Sequence, residues 1–200
     1  MKKLPADKGL KIFDINWRAK TAGPSPLNNE RIEIFLLGCK KAAEGRPCPG
    51  CFNSITWDAN KATHSWDPTE VANKIAKTTP VRYITIGGGE PTDQIDHLVP
   101  FVKKLKELDF HILMYTWRDL EKESNSYSMT ELLKYVDIVI DGEYIQEERL
   151  YQENIDDGFF SSIGSGNQRI WDIQNKKYEY MRDLKGLKLD DNNKLIYIYK

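Results

Sequence analysis

The sequence lacks the features that mark membrane, secreted and nucleic-acid-binding proteins. It has no run of about 18 apolar residues, and the two lysines after Met1 are not followed by an apolar segment. An excess of one charge is absent too, because 29 basic and 30 acidic residues give a net charge of -1. We therefore expect a cytoplasmic protein with neither membrane nor nucleic acid as a partner, acting on a small molecule or on another protein.

Cysteine is scarce as well, since the 200 residues contain only Cys39, Cys48 and Cys51. An odd number confined to one stretch argues against the disulfide framework of a secreted domain. A structural zinc site is an alternative that needs four ligands, so His64 would have to join the cysteines. A thioredoxin-like pair of Cys48 and Cys51 would leave Cys39 unexplained. Three thiolates suit an iron-sulfur cubane in which one iron is left for a substrate or cofactor.

Short apolar runs alternate with amphipathic stretches along the chain. This pattern predicts core strands at 31–38, 81–88, 110–117 and 136–142. It predicts helices at 67–78, 95–105 and 128–136. Two marginal strands are predicted at 10–17 and 194–200. The charged stretch 174–193 reads as a solvated helix and turn. Alternating strands and helices predict an α/β fold with a mainly parallel sheet, open or curved into part of a barrel. The length predicts a single domain, residues 1–200.

Residues of distinctive chemistry follow the four core strands. Cys39 comes after the first, the GGGEPT segment 87–92 after the second, Thr116 after the third and Asp141 at the end of the fourth. The carboxyl ends of parallel strands share one face, where ligands bind. Successive glycines let a ligand approach the backbone, and the Glu90 carboxylate can accept hydrogen bonds from an ammonium group. A small zwitterion fits this turn.

Together, the three cysteines and the turn Gly88-Gly89-Glu90 resemble the motifs of radical S-adenosylmethionine enzymes. The segments CPGCFN, ITWDAN, DGEYIQEE and GSGNQRI are similar to those of the activating proteins of anaerobic (class III) ribonucleotide reductases. The resemblance covers about residues 13–173 and leaves 174–200 as a C-terminal extension. Three features depart from the superfamily pattern, and one of them, Gly50 in place of an aromatic residue before Cys51, is shared with the activating proteins. Eight residues, 40–47, separate the first two cysteines where three are usual, and Trp117 replaces a small residue after Thr116.

The resemblance implies a partial (β/α) barrel of mainly parallel strands, with a [4Fe-4S] cluster on Cys39, Cys48 and Cys51 and S-adenosylmethionine on its open iron. It further implies reductive cleavage of S-adenosylmethionine, with flavodoxin or ferredoxin as electron donor, and a glycyl radical on the catalytic subunit of an anaerobic ribonucleotide reductase. No catalytic side chain is expected beyond these cofactors, which supply the difficult chemistry. The residues expected to contact the cofactor are Gly87, Gly88, Gly89, Glu90, Phe52, Thr116, Asp141 and Asn167.

Several of these expectations have alternatives. Phe52 is equally explained by core packing, and Asn167 by structural hydrogen bonding. A radical enzyme with a small-molecule substrate, resembling the deazaguanine synthases with their long first cysteine gap, would share the cluster and the fold. It should carry more polar residues after the later strands. A zinc-stabilised binding module would share only the cysteines, and metal analysis would separate it from both enzymes.

Overall fold

The computed structural model describes residues 1, 3–19, 30–123, 126–149 and 164–173, and the backbone of 185–189 and 195–197. A small antiparallel pair joins β1 (Lys3–Leu4) to β4 (Ser65–Trp66). The strands of the main sheet are β2 (Ile12–Ala19), β3 (Arg31–Leu36), β5 (Tyr83–Gly88), β6 (His111–Tyr115), β7 (Ile138–Asp141), β8 (Arg169–Ile173), β9 (Lys185–Leu189) and β10 (Leu195–Tyr197). Within the described chain their spatial order is β10-β9-β8-β7-β6-β5-β3-β2.

The centre of this sheet is parallel, as the alternating sequence predicted. β3, β5, β6 and β7 are parallel neighbours, and β2 and β8 flank them antiparallel. In the register, Ile34 lies beside Ile86, and Ile86 beside Met114. All three side chains are fully buried, as expected for strands covered on both faces. The fold is therefore a mixed α/β structure with a mostly parallel centre, and its curvature into a partial barrel stays a prediction.

Helices connect the parallel strands. Their bounds are α1 (Lys40–Ala43), α2 (Pro68–Thr78), α3 (Ile95–Glu107), α4 (Leu120–Glu123) and α5 (Tyr127–Leu133). The predicted start of α2 is confirmed, because the Asp67 carboxylate accepts from the Glu70 N–H at 2.9 Å and Pro68 occupies the first position. α3 continues past Pro100 and packs against α2 and α5. No helix in the described part of the chain is long and apolar enough to cross a membrane.

The C-terminal region differs from the prediction. β8 was not predicted as a strand, because Asp172, which is buried, interrupts its apolar pattern. The helix and turn predicted for 174–193 is wrong at 185–189, where β9 pairs parallel with β8. The rest of that stretch lies outside the described residues. Of the two marginal strands, β2 is confirmed, and the described part of the last one, β10, pairs antiparallel with β9.

Candidate functional site

The three cysteines lie on one closed loop, residues 39–57, which we call the cysteine loop. It follows β3, and its two ends are held side by side. The Gly38 N–H donates to the Thr56 carbonyl at 2.8 Å, and the Cys39 N–H donates to the Trp57 carbonyl at 3.0 Å. All three thiols are free and half-buried. The loop therefore carries its thiols on a base fixed at the end of a core strand.

A short helix shapes the first part of the cysteine loop. α1 follows Cys39 directly, and the chain reverses at Gly45, whose φ of 76° favours glycine. The Arg46 N–H then donates to the Lys41 carbonyl at 3.0 Å, as in helices that a glycine terminates. This reversal returns the chain so that Cys48 lies beside Lys41, with 3.5 Å between Nζ and Sγ.

The donor chemistry of the loop suits iron and sulfide, because thiolates are the ligands of iron-sulfur clusters. In the described residues, no group of three or more His, Cys, Asp or Glu side chains is drawn together as a set of metal ligands. Convergence of the three thiols on one cluster therefore stays a prediction. It rests on the type of donor and on the shared loop.

Two of the thiols are in surroundings that favour the protonated form. Burial raises the pKa of Cys39, and the negative charges of Glu90 and Asp93 act in the same direction. Burial also raises the pKa of Cys48, although the Lys41 ammonium opposes the rise. Since metals bind the thiolate, loading of the site must release protons.

Glu90 is buried and accepts hydrogen bonds from the protein itself. Its Oε1 accepts from the Thr92 N–H at 3.0 Å, the Thr92 hydroxyl at 2.5 Å and the Thr116 hydroxyl at 2.8 Å. Its Oε2 accepts from the Trp117 N–H at 3.0 Å. Burial raises the pKa of Glu90, and these donors oppose the rise. The structure thus brings two predicted site residues, Glu90 and Thr116, into direct contact.

Two of the three glycines before Glu90 are required by the packing of the strand ends. At Gly88, where φ is 107°, a Cβ would lie 2.4 Å from the backbone of β3. At Gly89 it would lie 2.1 Å from a carbonyl oxygen just beyond β3. At Gly87 the nearest atom is a ring carbon of Tyr115 at 3.9 Å, an ordinary contact. The close approach at Gly88 and Gly89 therefore comes from the protein's own backbone.

Arg118 extends the Glu90 contacts to the cysteine loop. Its guanidinium donates to the Thr92 hydroxyl at 2.7 Å and to the Asp93 carboxylate at 2.9 Å. The other Asp93 oxygen accepts from the Lys40 N–H at 2.6 Å, directly after Cys39. We call Glu90, Thr92, Asp93, Thr116 and Arg118 the strand-end network. It connects the ends of β3, β5 and β6 through charge-assisted hydrogen bonds.

Asp141 is completely buried in a second cluster of charges. Arg169 on β8 donates to both carboxylate oxygens, at 2.9 and 2.5 Å, and the Leu120 N–H donates at 2.8 Å. Arg169 also donates to Asp119 at 2.8 Å and lowers the pKa of that carboxyl to about 2. Asp141 thus joins β7 to β8 and α4, and its contact with a cofactor stays a prediction.

Asn167 fixes the segment that follows β7. Its amide donates to the Glu143 carbonyl at 2.7 Å and accepts from the Ser165 hydroxyl at 2.7 Å. The Gln168 amide donates to the Gly142 carbonyl at 3.0 Å. The GSGNQRI segment therefore supports the start of DGEYIQEE through side-chain to backbone hydrogen bonds.

Phe52 is 60% exposed, so the core-packing alternative is wrong. Its ring centroid lies 5.0 Å from that of Tyr144, and the Arg149 guanidinium lies 5.1 Å from the Phe52 centroid. The ring therefore connects the cysteine loop to the segment after β7. Its predicted contact with adenine remains a prediction.

Two further features lie near the cysteines in the sequence or in space. His64, the fourth ligand that a zinc site would need, packs on Trp66 with 4.6 Å between ring centroids.

A cavity of about 460 Å³ is lined by Cys39 together with Trp57 and Gln94. As far as the described residues go, its lining does not include the GGGEP turn. The cavity therefore touches the predicted cluster ligand Cys39, and its described lining includes none of the residues expected to contact S-adenosylmethionine.

Sequence reasoning missed several residues that position the site. Lys41 lies in the long gap between the first two cysteines. The length of the gap indicated an insertion, but the sequence pattern suggested no role for the inserted residues. Thr92 lies in the predicted GGGEPT segment but was given no role there. Arg118 follows β6, and a search of every polar residue after a core strand would have found it. Arg169 required knowledge of β8, which the sequence pattern did not predict.

The chain belongs to the family described as the 4Fe-4S single cluster domain, which matches residues 29–171. That range contains the cysteine loop, the strand-end network and the Asp141 cluster. The chain is similar to the anaerobic ribonucleoside-triphosphate reductase-activating protein of Enterobacteria phage T4, with 29% identity over 153 residues, 70% of this chain and 83% of that protein. Proteins of the same name from Haemophilus influenzae and Escherichia coli K12 are 28% and 20% identical, over 59% and 58% of this chain and 76% of each relative.

Proposed function

We propose that this protein is a radical S-adenosylmethionine activating enzyme that generates a glycyl radical on an anaerobic ribonucleotide reductase. The observation that carries the proposal is the cysteine loop, which begins at the end of the core strand β3 and carries three free thiols. The loop is tied through Lys40 and Asp93 to the strand-end network. Membership of the 4Fe-4S single cluster family supports the cluster, and the names of the relatives support the target.

Cys39, Cys48 and Cys51 would hold three irons of a [4Fe-4S] cluster, and the amino and carboxylate groups of S-adenosylmethionine would bind the fourth. When bound, these cofactors supply one-electron cleavage of the sulfonium and a 5'-deoxyadenosyl radical. The protein's own contribution is to place the two cofactors against each other and to limit the access of water.

The GGGEP turn would contact the cofactor mainly through its backbone. Gly87 has room for an approaching ligand, whereas Gly88 and Gly89 pack against the end of β3. The Glu90 carboxylate shapes the turn by accepting four hydrogen bonds from the protein. Its Oε2 carries fewer of these bonds than Oε1 and retains capacity for one from an ammonium group.

The remaining predicted residues would act on the segment after β7. Asp141 and Asn167 hold this segment through Arg169 and the Glu143 carbonyl. Phe52 reaches it from the cysteine loop. In this proposal they keep the loop and the segment at a fixed spacing around the cofactor, and Phe52 offers an exposed ring face for adenine to stack on.

The substrate is a backbone glycine of the reductase. With the cofactors bound, the glycine Cα would give up one hydrogen atom to the bound cofactor and keep the unpaired electron. A reduced flavodoxin or ferredoxin would supply the electron for each cycle.

The test uses anaerobically reconstituted protein, S-adenosylmethionine, a reductant and the cognate reductase. We expect a glycyl-radical doublet in electron paramagnetic resonance and oxygen-dependent cleavage of the reductase chain, with neither when the reductase is omitted. The Cys51→Ala variant serves as the matched control and should give no doublet. A folded reductase that gains neither signal, while 5'-deoxyadenosine forms with a small metabolite, would show that the substrate is not a protein.

A further inference from the structure

The long gap between Cys39 and Cys48 places a lysine against a cysteine sulfur. Lys41 is 6% exposed although it carries a charge, and a buried ammonium requires partners. Its Nζ donates to Cys48 Sγ at 3.5 Å and forms an ion pair with the Glu143 carboxylate. It also lies 5.8 Å from the ring centroid of Trp117.

These contacts depend on the eight residues that the gap contains. α1 and the reversal at Gly45 are built from residues 40–45, and they turn the Lys41 side chain toward Cys48. Lys40 precedes it on the same helix but is exposed, so the two neighbouring lysines have different surroundings. A gap of three residues has no room for this helix, and the lysine is therefore a product of the insertion.

We propose that Lys41 is a positioning residue that sets the reduction potential of the cluster through its hydrogen bond and charge at the Cys48 sulfur. The inference rests on the proposed function, since it requires a cluster on the three cysteines. Hydrogen bonds to the ligating sulfurs and the local charge are among the factors that fix the potential of such clusters. Reduction adds one negative charge to the cluster, and a fixed ammonium at a ligand sulfur stabilises that charge.

The ion pair with Glu143 gives Lys41 a second effect. Glu143 belongs to the segment after β7, whose backbone Asn167 holds. The lysine therefore joins Cys48 to the segment that also contacts Phe52 through Tyr144. A purely structural lysine would act through this connection alone, and its loss would lower cluster content without changing the potential of the clusters that remain.

The experiment compares wild type, Lys41→Met, Lys41→Gln and Lys40→Met after anaerobic reconstitution. Redox titration with dithionite, followed by electron paramagnetic resonance, measures the midpoint potential without S-adenosylmethionine. We expect Lys41→Met to lower the equilibrium constant for one-electron reduction by about tenfold, a shift of ~59 mV to more negative potential. Lys40→Met removes the same charge from an exposed side chain, keeps the backbone N–H that donates to Asp93, and should leave the potential unchanged.

Lys41→Gln keeps a hydrogen-bond donor without the charge and should give an intermediate shift. If Lys41→Met fails to fold or to bind a cluster, the potential of Lys41→Gln decides whether Lys41 affects the cluster. Thermal unfolding of the metal-free variants checks that they fold. Equal potentials in wild type and in the Lys41 variants that load iron would overturn the inference and leave the proposed function standing. Wild-type protein that takes up no iron and sulfide would overturn both.

Discussion

The strand-end network and the cysteine loop lie next to each other but use their polar groups differently. In the network, Glu90 and Arg118 are engaged with other residues of the protein. In the loop, the three thiols are free and half-buried, although the backbone that carries them is pinned at both ends. The difference supports the proposal that the network is a structural support and that the loop thiols are the ligands of a cluster.

The largest expected effect on stability comes from the support, at Arg169. Arg169→Ala leaves the Asp141 carboxylate buried without its main partner, which typically costs about 3–5 kcal/mol. Arg18→Ala is the control, because its ion pair with Glu30 is largely exposed and should contribute about 0–1 kcal/mol. Urea unfolding of the metal-free protein measures both. Similar losses in the two variants would show that the Asp141 cluster does not support the fold.

Variants of Gly87 and Gly88 separate the role of these glycines in packing from their role in contacting the cofactor. Gly88→Ala places a Cβ 2.4 Å from the β3 backbone at a φ of 107°, and should destabilise the protein by at least about 1–3 kcal/mol. Gly87→Ala meets only an ordinary 3.9 Å contact and should leave stability nearly unchanged. If Gly87 faces the cofactor, Gly87→Ala weakens S-adenosylmethionine binding in calorimetry under argon. Unchanged stability in Gly88→Ala would contradict the close approach.

The core strands were predictable from the sequence because β3, β5, β6 and β7 are short, strongly apolar and punctuated by turns, so local pattern and tertiary burial agree. Their shared carboxyl edge then placed Cys39, Glu90, Thr116 and Asp141 at one end of the sheet. β8 and β9 were not predictable in the same way, because RIWDI contains the buried acidic residue Asp172 and KGLKL lies within a highly charged stretch.

The partners of the predicted side chains could not be predicted either. Glu90 accepts from residues after two different strands, and Asp141 is paired with a residue 28 positions away on a strand that the pattern did not show. Such pairings depend on the register between strands, which no local pattern contains. The sequence therefore indicated which residues meet at the strand ends, but not which of them the protein itself already uses.

Glu90→Gln tests the residue at the boundary between the strand-end network and the predicted cofactor contacts. An amide nitrogen must replace one carboxylate oxygen, so it faces at least one of the donors from Thr92, Thr116 or Trp117. We expect a loss of about 1–3 kcal/mol in unfolding free energy, the usual effect of an unsatisfied buried donor. If Glu90 also contacts S-adenosylmethionine, the variant should bind it more weakly by about 1–3 kcal/mol while the cluster stays intact. Glu107→Gln, on an exposed pair of α3, provides the control. No change in either quantity would remove Glu90 from both roles.

The smallest effect concerns the thiols before metal is bound. Because burial raises the pKa of Cys39 and Cys48 above the ordinary 9.0, both stay protonated to higher pH in the folded protein than in the unfolded chain. Their contribution to stability is present below pH 9.0 and is lost as pH rises through the folded pKa. Alkylation of the metal-free protein, followed from about pH 7 to 10 by mass spectrometry, should be slower than in urea. If each cysteine is alkylated as fast in the folded protein as in urea, burial does not protect the two thiols.

Metal analysis shows directly whether the cysteine loop holds one four-iron cluster. Wild-type protein and the variants Cys39→Ala, Cys48→Ala and Cys51→Ala are reconstituted with iron and sulfide without oxygen, and iron, sulfide and zinc are measured per chain. We expect about four irons and four sulfides per chain in the wild type. We also expect severe depletion in each variant, because the chain has no fourth cysteine to substitute. One tightly retained zinc per chain with no uptake of iron would show that the loop is a zinc site and holds no cluster.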